Sequence, residues 1–291
     1  MKKRLLDVKS SLLILLTVAV TVQPRAQQKV HMQITATDNA HFVLTDPEGR
    51  KTGRDPRGAS HRAEGIPIDG IPGANYSFES VGAIPDSNET VDATYYHVLA
   101  YSFDSPTSDG IYSIDVVGID LGQFDLYVSV DPARGSSRQR ARFVLRHLVI
   151  DKDSAITYRL TYDGTPGSRP KFDKVVFART IRQDAHVCLE LKLLGNSELY
   201  KDLSHRVDKL EKYLAHKDSS KAREELEDFK EKIEDVRKQT VKKEQKKERR
   251  EKEFLTKDAY QILQEDVDAL LRQLPQQRKG KGWDHDDRDR P

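Results

Sequence analysis

Chemistry is sparse among the residues that could carry it. The chain has one cysteine, Cys188, in the apolar run "HVCLELKLL", which reads as a buried small hydrophobe rather than a nucleophile. Its nine histidines are scattered singly, and His97 and His147 fall inside alternating strand patterns, the context of structural residues rather than metal ligands. No H-E-x-x-H, C-x-x-C, G-x-S-x-G or P-loop spacing occurs. Aspartates gather with turn residues at "DSPTSDG" (104–110) and "DKDS" (151–154), but neither follows the EF-hand spacing. Ordinary Asx-turn chemistry is the expectation there, with calcium as the alternative. "WDHDD" (283–287) has metal-binding residue types on a tail without apolar periodicity. The sequons at Asn75 and Asn88 read as chance. These observations assign no catalytic, cofactor-binding or metal-binding residue, no cofactor, and no enzyme activity.

Tyr95, Tyr96, Tyr101, Tyr112, Tyr127, Tyr158 and Tyr162 cluster in the strand-rich half. Tyrosine is a good strand former with its hydroxyl at the rim, and that is the expected role. Exposed on one face, the same residues would stack on sugar rings, which keeps a carbohydrate-binding reading open.

A second candidate is the charged stretch "KKEQKKERREKEF" (242–254). From Val241 to Glu253 it carries seven Lys/Arg and four Glu. Opposite signs three or four apart, such as Glu248 with Lys252, support a solvated helix through side-chain pairs. A nucleic-acid arm would hold fewer acids and aromatics between the bases, so no nucleic-acid partner is expected.

Two kinds of element must position whatever sites exist. From Lys29 to about Phe177 the apolar period is two, as in "VHMQITA", "FDLYVSV" and "ITYRLTY". Further strand runs are 42–45, 95–103, 111–117, 142–150 and 175–178. Gly/Pro/Asp-rich turns separate them, and no crossover helix intervenes, so the pairing is antiparallel. The expectation is a β-sandwich of seven to nine strands, Ig-like or jelly-roll-like, with residues 54–94 as a long excursion over its surface.

After Leu189 the period becomes 3.6. Leu199, Leu203, Val207, Leu210 and Leu214 mark one helix; Ala222, Leu226, Phe229, Ile233 and Val236 a second; Ala259, Leu263, Val267, Leu270 and Leu274 a third. Each single stripe needs partners, which predicts a three-helix bundle with Thr256 capping its last member. The fold class is therefore α+β as separate domains.

The N-terminus reads as an export signal. Lys2, Lys3 and Arg4 precede the eleven-residue apolar run Leu12–Val22, too short to span a bilayer. Cleavage after Ala26 would start the mature chain at Gln27 and leave no stable membrane span. An uncleaved anchor is the alternative. The expected organisation is a signal peptide at 1–26, a β-sandwich at 27–190, a helical domain at 191–275 with a charged helical insert at 237–253, and a disordered tail at 276–291.

Two resemblances fit this layout. "GNSELYKDLSHRVDKLEKYL", "DSSKAREELEDFKEKIEDV" and "LTKDAYQILQEDVDALL" resemble the FIMAH-type helical domain of exported bacterial proteins, from Gly195 to Leu274, with the charged insert as a departure. "SPTSDGIYSIDVVGIDLGQFDLYVSV" (105–130) is similar to exported bacterial β-sandwich modules of the pre-peptidase C-terminal kind, through Asp109, Gly110, Tyr112, Gly118, Gly122 and Phe124. Both imply a secreted or periplasmic bacterial protein and no catalytic residue. The expected function is a non-enzymatic interaction or adhesion protein with a protein or glycan partner. The alternatives are a carbohydrate-binding module or a non-catalytic accessory of a secreted hydrolase system.

Overall fold

The computed structural model describes residues 30–37, 39–57, 66–81, 94–102, 109–132, 141–163, 168–246 and 254–275. The expected signal peptide, most of the charged stretch and the C-terminal tail lie outside the described residues.

Among the described residues eleven strands form two antiparallel sheets. The first holds β5 (Ala74–Val81), β6 (Thr94–Ser102), β1 (Val30–Thr37), β8 (Gly122–Pro132) and β9 (Ala141–Ile150), in that order. The second holds β11 (Lys171–Lys174), β10 (Ala155–Tyr162), β7 (Gly110–Gly118), β2 (Ala40–Thr45), β3 (Lys51–Asp55) and β4 (Ile66–Asp69). Alternation decides which side chains go inside. Met32, Ile34 and Ala36 of β1 and Phe124, Leu126, Val128 and Val130 of β8 join Phe42, Leu44, Ile114, Ile156 and Leu160 of the other sheet in one apolar cluster. Burying it is the main stabilising term for this half of the chain.

Residues 54–94, expected as a long, partly ordered excursion, contribute to both sheets: β3 ends at Asp55, and β4 and β5 follow within the segment. Ahead of that segment, β2 and β3 form a hairpin closed by Asp46, whose carboxylate accepts from the Arg50 backbone N–H at 2.8 Å and from its guanidinium at 2.6 Å. The Gly- and Pro-rich composition concealed strands that are short or lie at a sheet edge, where the ladder demands less of the side chains. Residues 175–178, expected as a strand, are not one. β11 precedes them, and α1 begins at Ala178.

Among the described residues four helices follow rather than three: α1 (Ala178–Glu190), α2 (Ser197–Ala215), α3 (Ser219–Gln245) and α4 (Lys257–Gln273). α1 escaped the sequence reading because "ARTIRQDAHVCLE" interrupts its apolar stripe with a buried aspartate, Asp184. The helix packs Ile181, Ala185, Val187 and Cys188 into the same core as the other three. The other stripes lie where the 3.6 period puts them, and Thr256 caps α4 by accepting from the Ala259 N–H at 3.3 Å. α3 runs on beyond Val236, and Thr240 extends its buried face. The Thr240 hydroxyl donates to the Val236 carbonyl at 2.8 Å and accepts from the Leu255 N–H at 3.1 Å. Its hydroxyl therefore anchors the connection into α4.

Candidate functional site

The helices meet the sheets at one flank, where edge strands β9 and β11 contact α1 and α4. A bulge in β9 prepares this contact. Phe124 pairs with Leu148 but Leu126 with Leu145, and His147, at φ 55, takes up the extra residue. Asp125 holds the bulge by accepting from the His147 N–H at 2.8 Å and from the Tyr127 hydroxyl at 2.9 Å. Beyond it, Leu148 and Ile150 join the apolar cluster that draws on both sheets, while Val149 joins the helical core with Val176.

Lys174 ends β11 opposite Tyr158 of β10. Tyr158 is a core residue, and cross-strand partners share a face, so the Lys174 side chain enters from the flank. There its ammonium donates to Asp184 of α1 at 2.6 Å and to Asp266 of α4 at 2.5 Å. Asp184 is 2% exposed and Asp266 0%. One cation thus ties the second sheet to two helices.

The electrostatics follow from burial. Burial alone would lower the Lys174 pKa, but Asp184 and Asp266 outweigh it and raise it well above the ordinary range. The amine stays protonated, so it serves as neither base nor nucleophile at neutral pH. Burial pushes the Asp266 carboxyl well up, opposed by Lys174 and reinforced by Asp184. In this dry place Asp266 holds a proton more readily than an ordinary carboxyl does. Its Oδ2 and the Tyr158 hydroxyl have no hydrogen-bond partner among the described residues. Cys188 is fully buried, and burial first, then Asp184 and Asp266, raise its thiol far above the range of a reactive thiolate.

Beside this tie, a cleft of about 200 Å³ opens between β9, β11 and α4. Leu145, Leu148, Phe172 and Ala269 give it an apolar floor, with Tyr158 and Lys174 also in its wall. Phe172 stacks on Tyr158 at 5.2 Å between ring centroids and tilts against Phe143 at 5.1 Å. Asp173, Glu265, Asp268 and Arg272 complete the lining.

A second, shallower groove of about 280 Å³ lies over β1, β8 and β9. Cross-strand register puts Gln33, Ser129 and Arg142 on one face, with Thr35, Tyr127 and Val144 alongside. This is the face opposite the core. Val144 is 49% exposed there. Arg142 is exposed, and its side chain makes no hydrogen bond or ion pair among the described residues.

Of the seven tyrosines, Tyr112, Tyr158 and Tyr162 are buried in the core, Tyr127 lines the outer groove, and the side chains of Tyr95, Tyr96 and Tyr101 lie outside the described residues. His97 sits in β6, its side chain likewise outside them; His147 is exposed at the bulge. Sequence reasoning passed over His41, which is fully buried with its Nδ1 2.9 Å from the Tyr76 hydroxyl. At 151–154 the aspartates serve the turn. The Asp151 side chain accepts from the Lys152 N–H at 2.7 Å, and the Ser154 hydroxyl donates to the Asp151 carbonyl at 2.7 Å. Gly118 is required beside it, since a Cβ there would meet the Asp151 carbonyl oxygen at 2.1 Å. Among the described residues no group of three or more His, Cys, Asp or Glu is placed to hold a metal ion, and no helix is long and apolar enough to cross a membrane.

The chain is thus an α+β protein of two antiparallel sheets and four helices. No family model, curated protein or solved structure matches it.

Proposed function

We propose that this is a non-enzymatic exported interaction protein. In this reading the two sheets pack face to face as a β-sandwich, the helices form a bundle against its flank, and both act as docking modules. The observation that carries it is the outer groove over β1, β8 and β9, where exposed Val144 lies beside the unengaged guanidinium of Arg142 and the ring of Tyr127. An apolar contact flanked by an arginine and a tyrosine is the composition of a recognition surface. The non-enzymatic part is supported by Lys174, whose amine is committed to Asp184 and Asp266. The resemblances to FIMAH-type and pre-peptidase C-terminal-type modules support the exported, bacterial part, as does the N-terminal apolar run.

A photo-crosslinking residue at position 144 tests this. In expressing cells it should give one discrete adduct in the exported fraction, lost on Arg142→Glu. The same probe at exposed Glu224 on α3 should give none. Equal labelling from both positions would overturn the reading.

Tyr127 favours a second reading, in which the groove takes a glycan. Its ring lines the groove with Gln33, Ser129 and Arg142 supplying polar groups. A glycan array with the intact protein and Tyr127→Ala decides: retention of a glycan by the first alone supports this reading, and no retention by either removes it.

A further inference from the structure

Strand β9 closes one side of its sheet and pairs there only with β8. Antiparallel pairing turns the N–H and C=O groups of alternate residues away from the partner strand. The helices engage β9 beyond its bulge, at Val149, and across the cleft at Leu145 and Leu148. Ahead of the bulge, Ala141 to Arg146 make no backbone hydrogen bond outside the ladder to β8 among the described residues. This half of the strand is an open edge, the surface on which another extended chain can add.

The two faces of this half differ in chemistry. Phe143 and Leu145 pack on the core but are only partly buried, with the Phe172 ring 5.1 Å from that of Phe143. Arg142, Val144 and Arg146 are exposed on the outer face. Neither guanidinium has a hydrogen bond or an ion pair among the described residues. The nearby acids are occupied or turned away. Asp125 accepts from the His147 N–H and the Tyr127 hydroxyl, and Asp131 is already engaged. Glu265 and Asp268 line the cleft on the inner side, with Leu145 and Leu148. Four residues of strand put about 13 Å between the two arginines. A second copy pairing here edge to edge, centred on Val144, would set each Arg142 against an Arg146, and like charges placed opposite one another repel. The edge therefore selects an acidic strand over its own kind.

We propose that the edge of β9 from Ala141 to Arg146 takes an extended peptide of alternating apolar and acidic residues as an added strand. The peptide backbone completes the open ladder. Its apolar side chains lie beside Phe143 and Leu145, and two acids four residues apart meet Arg142 and Arg146. Main-chain bonds supply the affinity, and the arginines select the sequence. Charges and a bulge guard a free edge against pairing with like strands, but they do not deter an acidic one. The inference rests on the docking reading of the outer groove and names the chemistry of its partner.

The probe is the capped peptide TEVTIET, whose two glutamates match the arginine spacing, titrated into the full mature chain and followed by amide chemical shifts. It should saturate in the micromolar to millimolar range and shift the amides of residues 141–146. TKVTIKT, the same peptide with lysines, should bind at least about tenfold more weakly, because two attractive cross-strand pairs become repulsive. The double variant Arg142→Glu/Arg146→Glu, at exposed positions, should reverse that preference, and Glu224→Lys on α3 should leave it unchanged. N-methylation separates an added strand from a bound anion. Methyl groups on the two apolar residues, or instead on the two glutamates, cover opposite edges of the peptide, so one version should bind like the parent and the other should not. The proposal is overturned by absence of saturation with TEVTIET up to about 1 mM, by equal affinity for the lysine peptide, or by equal behaviour of the two N-methylated peptides. A discrete adduct from position 144 in cells, with no binding of TEVTIET, would leave the docking surface standing and sink the added strand alone.

Discussion

Replacing Lys174 by methionine tests the tie between sheet and helices. Methionine keeps the unbranched stem and removes the ammonium. The change deletes hydrogen bonds of 2.6 and 2.5 Å and leaves Asp184 and Asp266, 2% and 0% exposed, facing each other without a cation. Removing one partner from a buried ion pair costs about 3–5 kcal/mol, because the remaining charge is neither solvated nor paired. At about 2–4 °C per kcal/mol for a chain of this size, the melting temperature should drop by roughly 6–20 °C. Urea unfolding followed by circular dichroism reads the loss directly. The double variant Lys174→Met/Asp266→Asn should recover part of it, about 1–3 kcal/mol, because it removes one of the stranded carboxylates. A loss under about 1 kcal/mol would place Lys174 among exposed ion pairs and refute the buried tie. So would failure of Asp266→Asn to recover anything.

Other consequences are equally direct. The Asp266 carboxyl is raised from its ordinary 3.8, so between that value and its folded value the native state holds a proton the unfolded chain has released. Its contribution to stability is therefore present below 3.8 and lost as pH rises towards the folded value, by at most about 1.4 kcal/mol per pH unit. The Lys174 contribution is lost only above 10.5, and the difference between wild type and Asp266→Asn in urea melts run below that pH should report the carboxyl. Identical pH profiles would count against it. Thr240→Val should cost about 1–3 kcal/mol and speed hydrogen exchange at the Leu255 amide, whose acceptor is the Thr240 hydroxyl. Mass spectrometry of the mature protein should find its N-terminus at Gln27; a full-length cytoplasmic product would sink the export proposal.

The fold was legible wherever burial follows a strict period. The β1, β8 and β10 alternations and the α2, α3 and α4 stripes coincide with buried residues almost position by position. It was illegible where one polar residue occupied a core position. In α1, Asp184 follows Ile181 by three and precedes Cys188 by four, on the buried face. In α4, Asp266 sits between Leu263 and Leu270 in the same way, but there Ala259, Leu263, Val267 and Leu270 kept the helix readable and only the aspartate's role was hidden. Each reads as noise in an apolar stripe, and only Lys174, 92 residues from Asp266 in sequence, explains both. An aspartate at a stripe position was itself the available signal, since a buried carboxylate implies a partner elsewhere. The cleft was hidden for a related reason: its walls come from β9, β10, β11 and α4, with no shared motif.

The charged stretch at 242–254 begins inside α3, which ends at Gln245. Among its described residues Lys242, Glu244, Gln245 and Lys246 are exposed, while the apolar stripe and Thr240 carry the burial. Arg237 donates to the Leu255 carbonyl at 3.0 Å, and Gly195 and Thr256 exchange backbone hydrogen bonds of 2.8 and 3.0 Å with Phe254 and Leu193. The chain thus returns to α3 at Thr240 and is pinned there from both sides, whatever lies between. Joining Thr240 to Phe254 through a short Gly-containing turn should therefore keep the helices folded. Each exposed charge pair lost contributes only a few tenths of a kcal/mol, about the size of the change in loop-closure entropy. A polyanion-binding arm would behave otherwise, with retention on heparin falling steeply as salt releases counterions. Elution of the deletion and the intact protein at the same low salt is the expected result. Strong retention of the intact protein alone would mean that the stretch is a binding arm and that the solvated-helix reading is wrong.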